Sequence, residues 1–284
     1  MTSFYDYQLH APSGEAISVN QLTPEIQQAD VILIGEWHTH AGIHRFQTDM
    51  LKQLSSANRS LALSMEQVTR DKQAILDAYL DGEIGEQYFM KQSNAWPNYE
   101  SDYRPLVEFA KQAEIPVIAS NAPKNIVRCI GRQGVDYLDK LDSDERSFVA
   151  DDVNTANSPY KKKFMASMHH GKPEQTEKQY AAQVTWDETM AESIVKYLEK
   201  HPGTQVVHVA GKFHTEGGLG TAASILNRNP SLKVLVITPT ENITTDGSDY
   251  QLEVLEPPVR YVQDANRMAA YKHLATRNSD SQCK

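Results

Sequence analysis

Short apolar runs that end in glycine or a polar residue recur along the chain, separated by longer stretches whose apolar positions fall three and four apart. Residues 31 to 34, VILI, run into Gly35, and the stretches SLALSM (60–65), IPVIAS (115–120), VVHVAG (206–211) and KVLVIT (233–238) have the same character. QLEVL (251–255) is a sixth run, expected at a sheet edge. Runs of this kind suit strands of a parallel sheet covered on both faces. After the first of them, GIHRFQTDMLKQL places Ile43, Phe46, Met50, Leu51 and Leu54 on one helical face, as a crossover helix requires. The pattern predicts an α/β fold with a mostly parallel sheet flanked by helices, in one domain over residues 1–284. Two helical insertions interrupt the alternation, at about 70–113 and 124–200. Residues 1–30 read as a polar lead-in with a short edge element and a helical turn opened by Thr23 and Pro24.

The last helix before the fourth strand carries the most information. Tyr180, Val184, Asp187, Ala191, Ile194 and Leu198 fall on one stripe at about 100° per residue, so a tyrosine and an aspartate share the buried face. A carboxylate taken out of water costs several kcal/mol unless donors or a cation replace the water, so Asp187 needs an internal partner.

Composition narrows the function classes. The apolar fraction of 40% is enough to bury a core, and a net charge of −9 argues against a nucleic-acid binder. No stretch of about 18 apolar residues occurs, and the first ten residues lack the basic start and apolar core of a signal peptide. Cys129 sits in a helical stretch and Cys283 beside the C-terminus; both are expected to be unbridged, and the SDSQCK tail disordered.

Candidate chemistry gathers where strands end. Gly35 to His38 (GEWH) and Gly211 to His214 (GKFH) repeat one pattern, glycine, any residue, aromatic, histidine, and Glu66 follows the second strand as Glu36 follows the first. Ligands of open α/β sheets bind beyond the carboxyl ends of the strands, so Glu36, His38, Glu66 and His214 are expected to converge there. Imidazole and carboxylate together suit a divalent transition metal, or act as acid and base without one. His44 is expected to support this set, His40 to be solvated and His208 to be core. The glycines at 217, 218 and 220 read as a tight turn, and the lysines at 161–163 as a solvated face.

The ordered blocks GEWHTHAGIHRFQ, SMEQ, IASNAP, YAAQVTWDETMA and GKFHTEGG resemble the ChaN family of haem-binding uptake lipoproteins, in the superfamily that also holds the Tiki proteases and erythromycin esterases. The likeness spans roughly residues 30 to 240. It implies haem binding in iron acquisition, a haem-linked homodimer, exchange with an outer-membrane haem receptor, and an outer-membrane lipoprotein of the cell envelope. The lipidated cysteine and its signal are absent here, so the sequence reads as a trimmed mature domain. Haem sites of the family are expected to place tyrosine on the iron, a hard anionic donor suited to ferric iron. Tyr180 is the first candidate and Tyr160 the second, with His169, His170 and Lys172 as propionate partners. The same superfamily implies an alternative, a metal-dependent or acid–base hydrolase built on Glu36, His38, Glu66 and His214.

Overall fold

The computed structural model describes residues 1–57, 59–168, 172–277 and 282–284. Eight strands form one sheet: β1 (Gln8–His10), β2 (Ala16–Ile17), β3 (Val31–Glu36), β4 (Leu61–Thr69), β5 (Val117–Asn121), β6 (Gln205–Gly211), β7 (Val234–Thr240) and β8 (Tyr250–Glu253). Their order is β2-β1-β8-β7-β3-β6-β4-β5, parallel from β8 to β5, with the β1–β2 hairpin antiparallel at the other side. The fold is α/β, as the strand and helix pattern predicts. One placement differs. QLEVL is not an edge strand: β1 from the polar lead-in pairs outside β8, because Gln8, Leu9 and His10 supply backbone groups to its free side.

The main helices are α1 (Ala41–Ser55), α2 (Arg104–Gln112), α3 (Lys124–Gln133), α4 (Pro159–Ser167), α5 (Pro173–Lys200), α6 (Thr221–Arg228) and α7 (Asp264–Arg277). Period-two alternation explains why the strands read as unbroken apolar runs. In β3, Ile32 and Ile34 join a core with Ile43, Phe46 and Met50 of α1 and Leu106 and Val107 of α2. Val31 and Leu33 point the other way, against Ala191 and Ile194 of α5 and Ala222 and Ile225 of α6. Continuing the first set by two residues puts Glu36 on the α1 face at the carboxyl edge. The regions expected to be helical insertions are helical, with no strand among the described residues of 124–200.

The cysteines correct the sequence reading. Cys129 on α3 is bridged to Cys283, Cα to Cα 5.6 Å across a sequence separation of 154. The C-terminal residues return to α3, where the Gln133 amide donates to the Lys284 carbonyl at 3.3 Å and the Lys284 ammonium pairs with Asp142 and Glu145. Residues 282–284 of the tail are therefore held in place; Ser279, Asp280 and Ser281 lie outside the described residues. Pairing across so long a loop leaves no local spacing in the sequence for a reader to find.

Candidate functional site

Three strand ends deliver the polar groups. Glu36, 2% exposed at the end of β3, accepts hydrogen bonds from Tyr103 Oη at 2.6 Å, Gln67 Nε2 at 3.0 Å and Gln47 Nε2 at 2.6 Å. His38 Nδ1 meets the same carboxylate at 2.8 Å. Burial pushes this carboxyl upward, but the His38 and Tyr103 hydrogen bonds and the His44 charge outweigh it and hold the group at about 2. Glu36 is therefore an anion that fixes one imidazole. Burial lowers His38, yet Glu36 and then Glu66 raise it above the ordinary histidine value. Its ring stands edge-on to Trp96 at 4.9 Å, and Asn98 Nδ2 donates to its carbonyl at 2.6 Å.

The second imidazole is built the same way from different elements. β6 ends at Gly211 and the next helical turn turns His214 inward, where Nδ1 meets Asp187 Oδ1 at 3.0 Å. Asp187 is fully buried on α5 and has the partners its position demands: Thr221 Oγ1 donates at 2.9 Å and Tyr160 Oη at 2.8 Å. Burial disfavours charge on His214, but Asp187 and then Glu66 override it and raise the ring to about 9.

Glu66 lies between the two imidazoles. Its Oε2 accepts the Gly211 N–H at 2.6 Å, and its Oε1 is 3.9 Å from His214 Nε2. Gly211 gives the His38 ring its room, since a Cβ there would sit 2.9 Å from His38 Cε1 and 3.0 Å from its Nε2 and push the ring aside. The predicted convergence of Glu36, His38, Glu66 and His214 is thus observed as two carboxylate-oriented imidazoles around a third carboxylate. No group of three or more His, Cys, Asp or Glu among the described residues is arranged to hold a metal ion, so the expected transition-metal site is not supported.

A cavity of about 970 Å³ opens over this cluster. Phe4, Trp37, Phe213 and the run Pro257–Val259 give it an apolar rim, while Lys212 and Arg260 place cations on it. Tyr261, next to Arg260, is 46% exposed and its hydroxyl has no partner among the described residues.

The tyrosines chosen from sequence lie elsewhere. Tyr180 is 1% exposed, packed with Tyr160, Phe164 and Val184, and its hydroxyl lies 3.4 Å from Ser158 Oγ. The Tyr160 hydroxyl is committed to Asp187 and also accepts from Gln183 Nε2 at 3.0 Å. Neither ring lines the cavity, and both hydroxyls, expected to present oxygen to iron, are buried: the stripe that identifies the helix also turns Tyr180 into the core. Lys172 is exposed ahead of α5 and does not line the cavity, and His169 and His170 lie outside the described residues. His44 supports Glu36 through Gln47, with Nδ1 and Gln47 Oε1 3.0 Å apart. His40 is 4% exposed rather than solvated, because its Nε2 reaches the Leu255 carbonyl at 3.0 Å. His208 is core, held by burial at about 3 and hence neutral, with Ser64 Oγ on its Nδ1 at 2.9 Å.

Sequence reasoning missed Tyr103, Gln47, Gln67 and Gln183. A neutral amide or phenol on an otherwise ordinary helix carries no signal of its own, even though Gln47, Gln67 and Gln183 stand inside the stretches GEWHTHAGIHRFQ, SMEQ and YAAQVTWDETMA.

A structure of ChaN from Campylobacter jejuni, described as showing cofacial haem binding, superposes with a TM-score of 0.68 at 20% identity over 88% of this chain and 98% of that one. At that identity the likeness shows the fold. The type III effector HopBA1 (TM-score 0.49, 12% identity, 90% of this chain and 100% of that one) and a mutant of the erythromycin esterase EreC in its open conformation (0.49, 10%, 93% and 87%) are more distant and carry no argument. Among curated proteins there is no match. The sequence profile described as "Haem-binding uptake, Tiki superfamily, ChaN" matches residues 22–225. By that match, over most of its length, the chain belongs to the ChaN-like haem-binding uptake family of the Tiki superfamily.

Proposed function

We propose that this chain binds ferric haem on the rim of the cavity above the carboxyl edge of the sheet, in the service of haem iron acquisition at the cell envelope. The observation that carries the placement is the makeup of that rim. Its volume, about 970 Å³, is at the upper end of ordinary ligand pockets. Phe4, Trp37 and Phe213 with Pro257–Val259 supply apolar surface for a porphyrin, and Lys212 and Arg260 supply charge for the two propionates. Tyr261 is the oxygen donor we assign to the iron, as a free phenol beside the basic rim; phenolate is a hard anion that favours the ferric state. The imidazoles His38 and His214 face a space crowded by Gly211 and Glu66, which suits small groups rather than a porphyrin plane.

A porphyrin held on an open rim leaves apolar area in water at about 25 cal/mol per Å². Phe4 and Val259 on this rim are exposed, so a second copy of the chain covering them and the porphyrin would remove that area, and an outer-membrane receptor is the natural source of cargo. The test is a titration with ferric haem followed in the Soret band alongside sedimentation velocity. Saturation at one haem per chain with a shift toward dimer is expected; unsaturating, linear uptake would mean non-specific partitioning.

A second reading rests on the polar cluster itself. Glu66, between two imidazoles whose Nδ1 atoms are fixed by Glu36 and Asp187, is placed to accept a proton from water while protonated His214 donates to a leaving group. Acid–base hydrolysis of an ester or amide follows as an activity of the cluster. Turnover of a chromogenic ester that disappears in Glu66→Gln, with the fold retained, is the expected result; equal turnover in wild type and variant would end this reading.

A further inference from the structure

We propose that the polar cluster has a second face, between Trp96, Lys124 and Trp186, that binds a small organic carboxylate with an apolar body, so that the ester the cluster cleaves is one carrying a free carboxylate. The binding site stands apart from the haem rim; what happens to the bound molecule rests on the hydrolytic reading above. None of the three residues lines the cavity of about 970 Å³, yet each is tied to the groups beneath it. Trp96 stands edge-on to the His38 ring at 4.9 Å and also meets Tyr103, with ring centroids 5.9 Å apart. Trp186, on α5, meets the His214 ring at 6.2 Å. Both indoles are partly exposed, so each imidazole carries an aromatic surface that solvent still reaches.

The cation comes from a third element. Lys124 opens α3, just after Asn121 at the end of β5, whose Nδ2 donates to the Glu66 carbonyl at 3.0 Å. The residue as a whole is exposed, but its ammonium lies over the Trp96 ring at 4.9 Å, which holds the charge near His38. Neither Lys124 nor Arg128, one turn along the same helix, makes an ion pair among the described residues. Burial lowers the Lys124 ammonium, Glu66 opposes this and Arg128 adds to it, and the balance leaves the group below the ordinary lysine value. Glu66 is already engaged by the Gly211 N–H at 2.6 Å and lies 3.9 Å from His214 Nε2. The ammonium is therefore short of countercharge, and a ligand carboxylate supplies it. One ammonium with a carboxylate already nearby suits a singly charged ligand. Trp186, packed on the core that includes Ala122 and Ile126 on either side of Lys124, offers the apolar contact for its body.

A carboxylate held at Lys124 sets the rest of an ester over Glu66 and the imidazoles. Water loses a proton to Glu66 as its oxygen bonds to the carbonyl carbon, the bond from that carbon to the leaving oxygen breaks, and His214 gives the leaving oxygen its proton. The proton on Glu66 then passes to His214, so ester and water become acid and alcohol with both groups restored.

Binding is read from the tryptophan fluorescence of the full chain, titrated with phenylacetate and with its uncharged match, phenylacetamide. Phenylacetate should bind about tenfold tighter; Lys124→Met should remove that preference, and Lys124→Arg, which keeps the charge, should retain it. A wild-type chain that binds neither compound, or shows no preference for the anion, overturns the proposal, as does a preference that survives in Lys124→Met. Turnover separates the site from the reading it leans on. The ratio of kcat/KM for mono(para-nitrophenyl) glutarate to that for para-nitrophenyl butyrate should fall about tenfold in Lys124→Met, chiefly through KM. Both esters cleaved in a ratio that Lys124→Met does not move also overturns the site. Lys124-dependent binding of phenylacetate with neither ester cleaved by wild type ends the hydrolytic reading instead and leaves the carboxylate site standing.

Discussion

Replacing Asp187 by alanine is expected to destabilise the fold by about 3–5 kcal/mol, the range seen when one member of a buried ion pair is removed. The carboxylate is fully buried and holds three groups: His214 Nδ1, Tyr160 Oη and Thr221 Oγ1. Its loss strands a buried imidazolium and leaves two hydroxyls without their acceptor. The same pair gives wild type a distinct pH profile. His214 is raised from 6.5 to about 9 in the folded state, so below pH 6.5 both states carry the proton and the pair's stabilisation is fully present. As pH rises from 6.5 through 9 the folded state alone retains the proton and the advantage drains away, by about 3 kcal/mol in all. Urea unfolding at pH 6, 8 and 9.5 should show this fall in wild type and a flatter profile in Asp187→Ala. A variant within 1 kcal/mol of wild type at pH 6 would mean that the pair does not hold the α5–β6 junction together.

Tyr261→Phe is expected to weaken ferric haem binding on the order of a hundredfold, roughly 2.7 kcal/mol, and to abolish the tyrosinate charge-transfer features of the ferric spectrum. The substitution keeps the ring and its exposed position while deleting the only atom assigned to iron. Because Tyr261 lies on an exposed segment, the fold should unfold in urea as wild type does. Tyr180→Phe and Tyr160→Phe serve as the contrast: both hydroxyls lie inside, so their loss should register in stability rather than in the spectrum. A tyrosinate spectrum that survives in Tyr261→Phe and vanishes in Tyr180→Phe would return the ligand to α5.

The sheet and the polar cluster were readable because each left a repeated mark. Apolar runs buried on both faces have a definite look in sequence, and glycine, aromatic and histidine recur in one order at the ends of β3 and β6. Asp187 could be singled out by the cost of burying it, and its partners Tyr160 and Thr221 are what that cost demands. Helical spacing, by contrast, says that Tyr180 shares a face with Val184 and nothing about what that face meets, so the stripe that recommended it as a ligand is the stripe that buries it. The segment Pro257–Arg260 carries no period at all; its importance comes from lying beside Trp37 and Lys212, more than 40 residues away even by the shorter count along the chain. The disulfide escaped for the same reason, being a contact between distant parts of the chain with nothing local to announce it.

The central claim, that iron sits on the rim formed by Trp37, Phe213 and Pro257–Arg260, next in sequence to Tyr261, is tested most directly by locating the metal. Crystals of the haem-loaded protein measured on both sides of the iron absorption edge give an anomalous map with one feature per haem. The account predicts that this peak lies against the Tyr261 phenolate oxygen, with the propionates toward Lys212 and Arg260; a peak over α4 and α5 beside Tyr180 would contradict it.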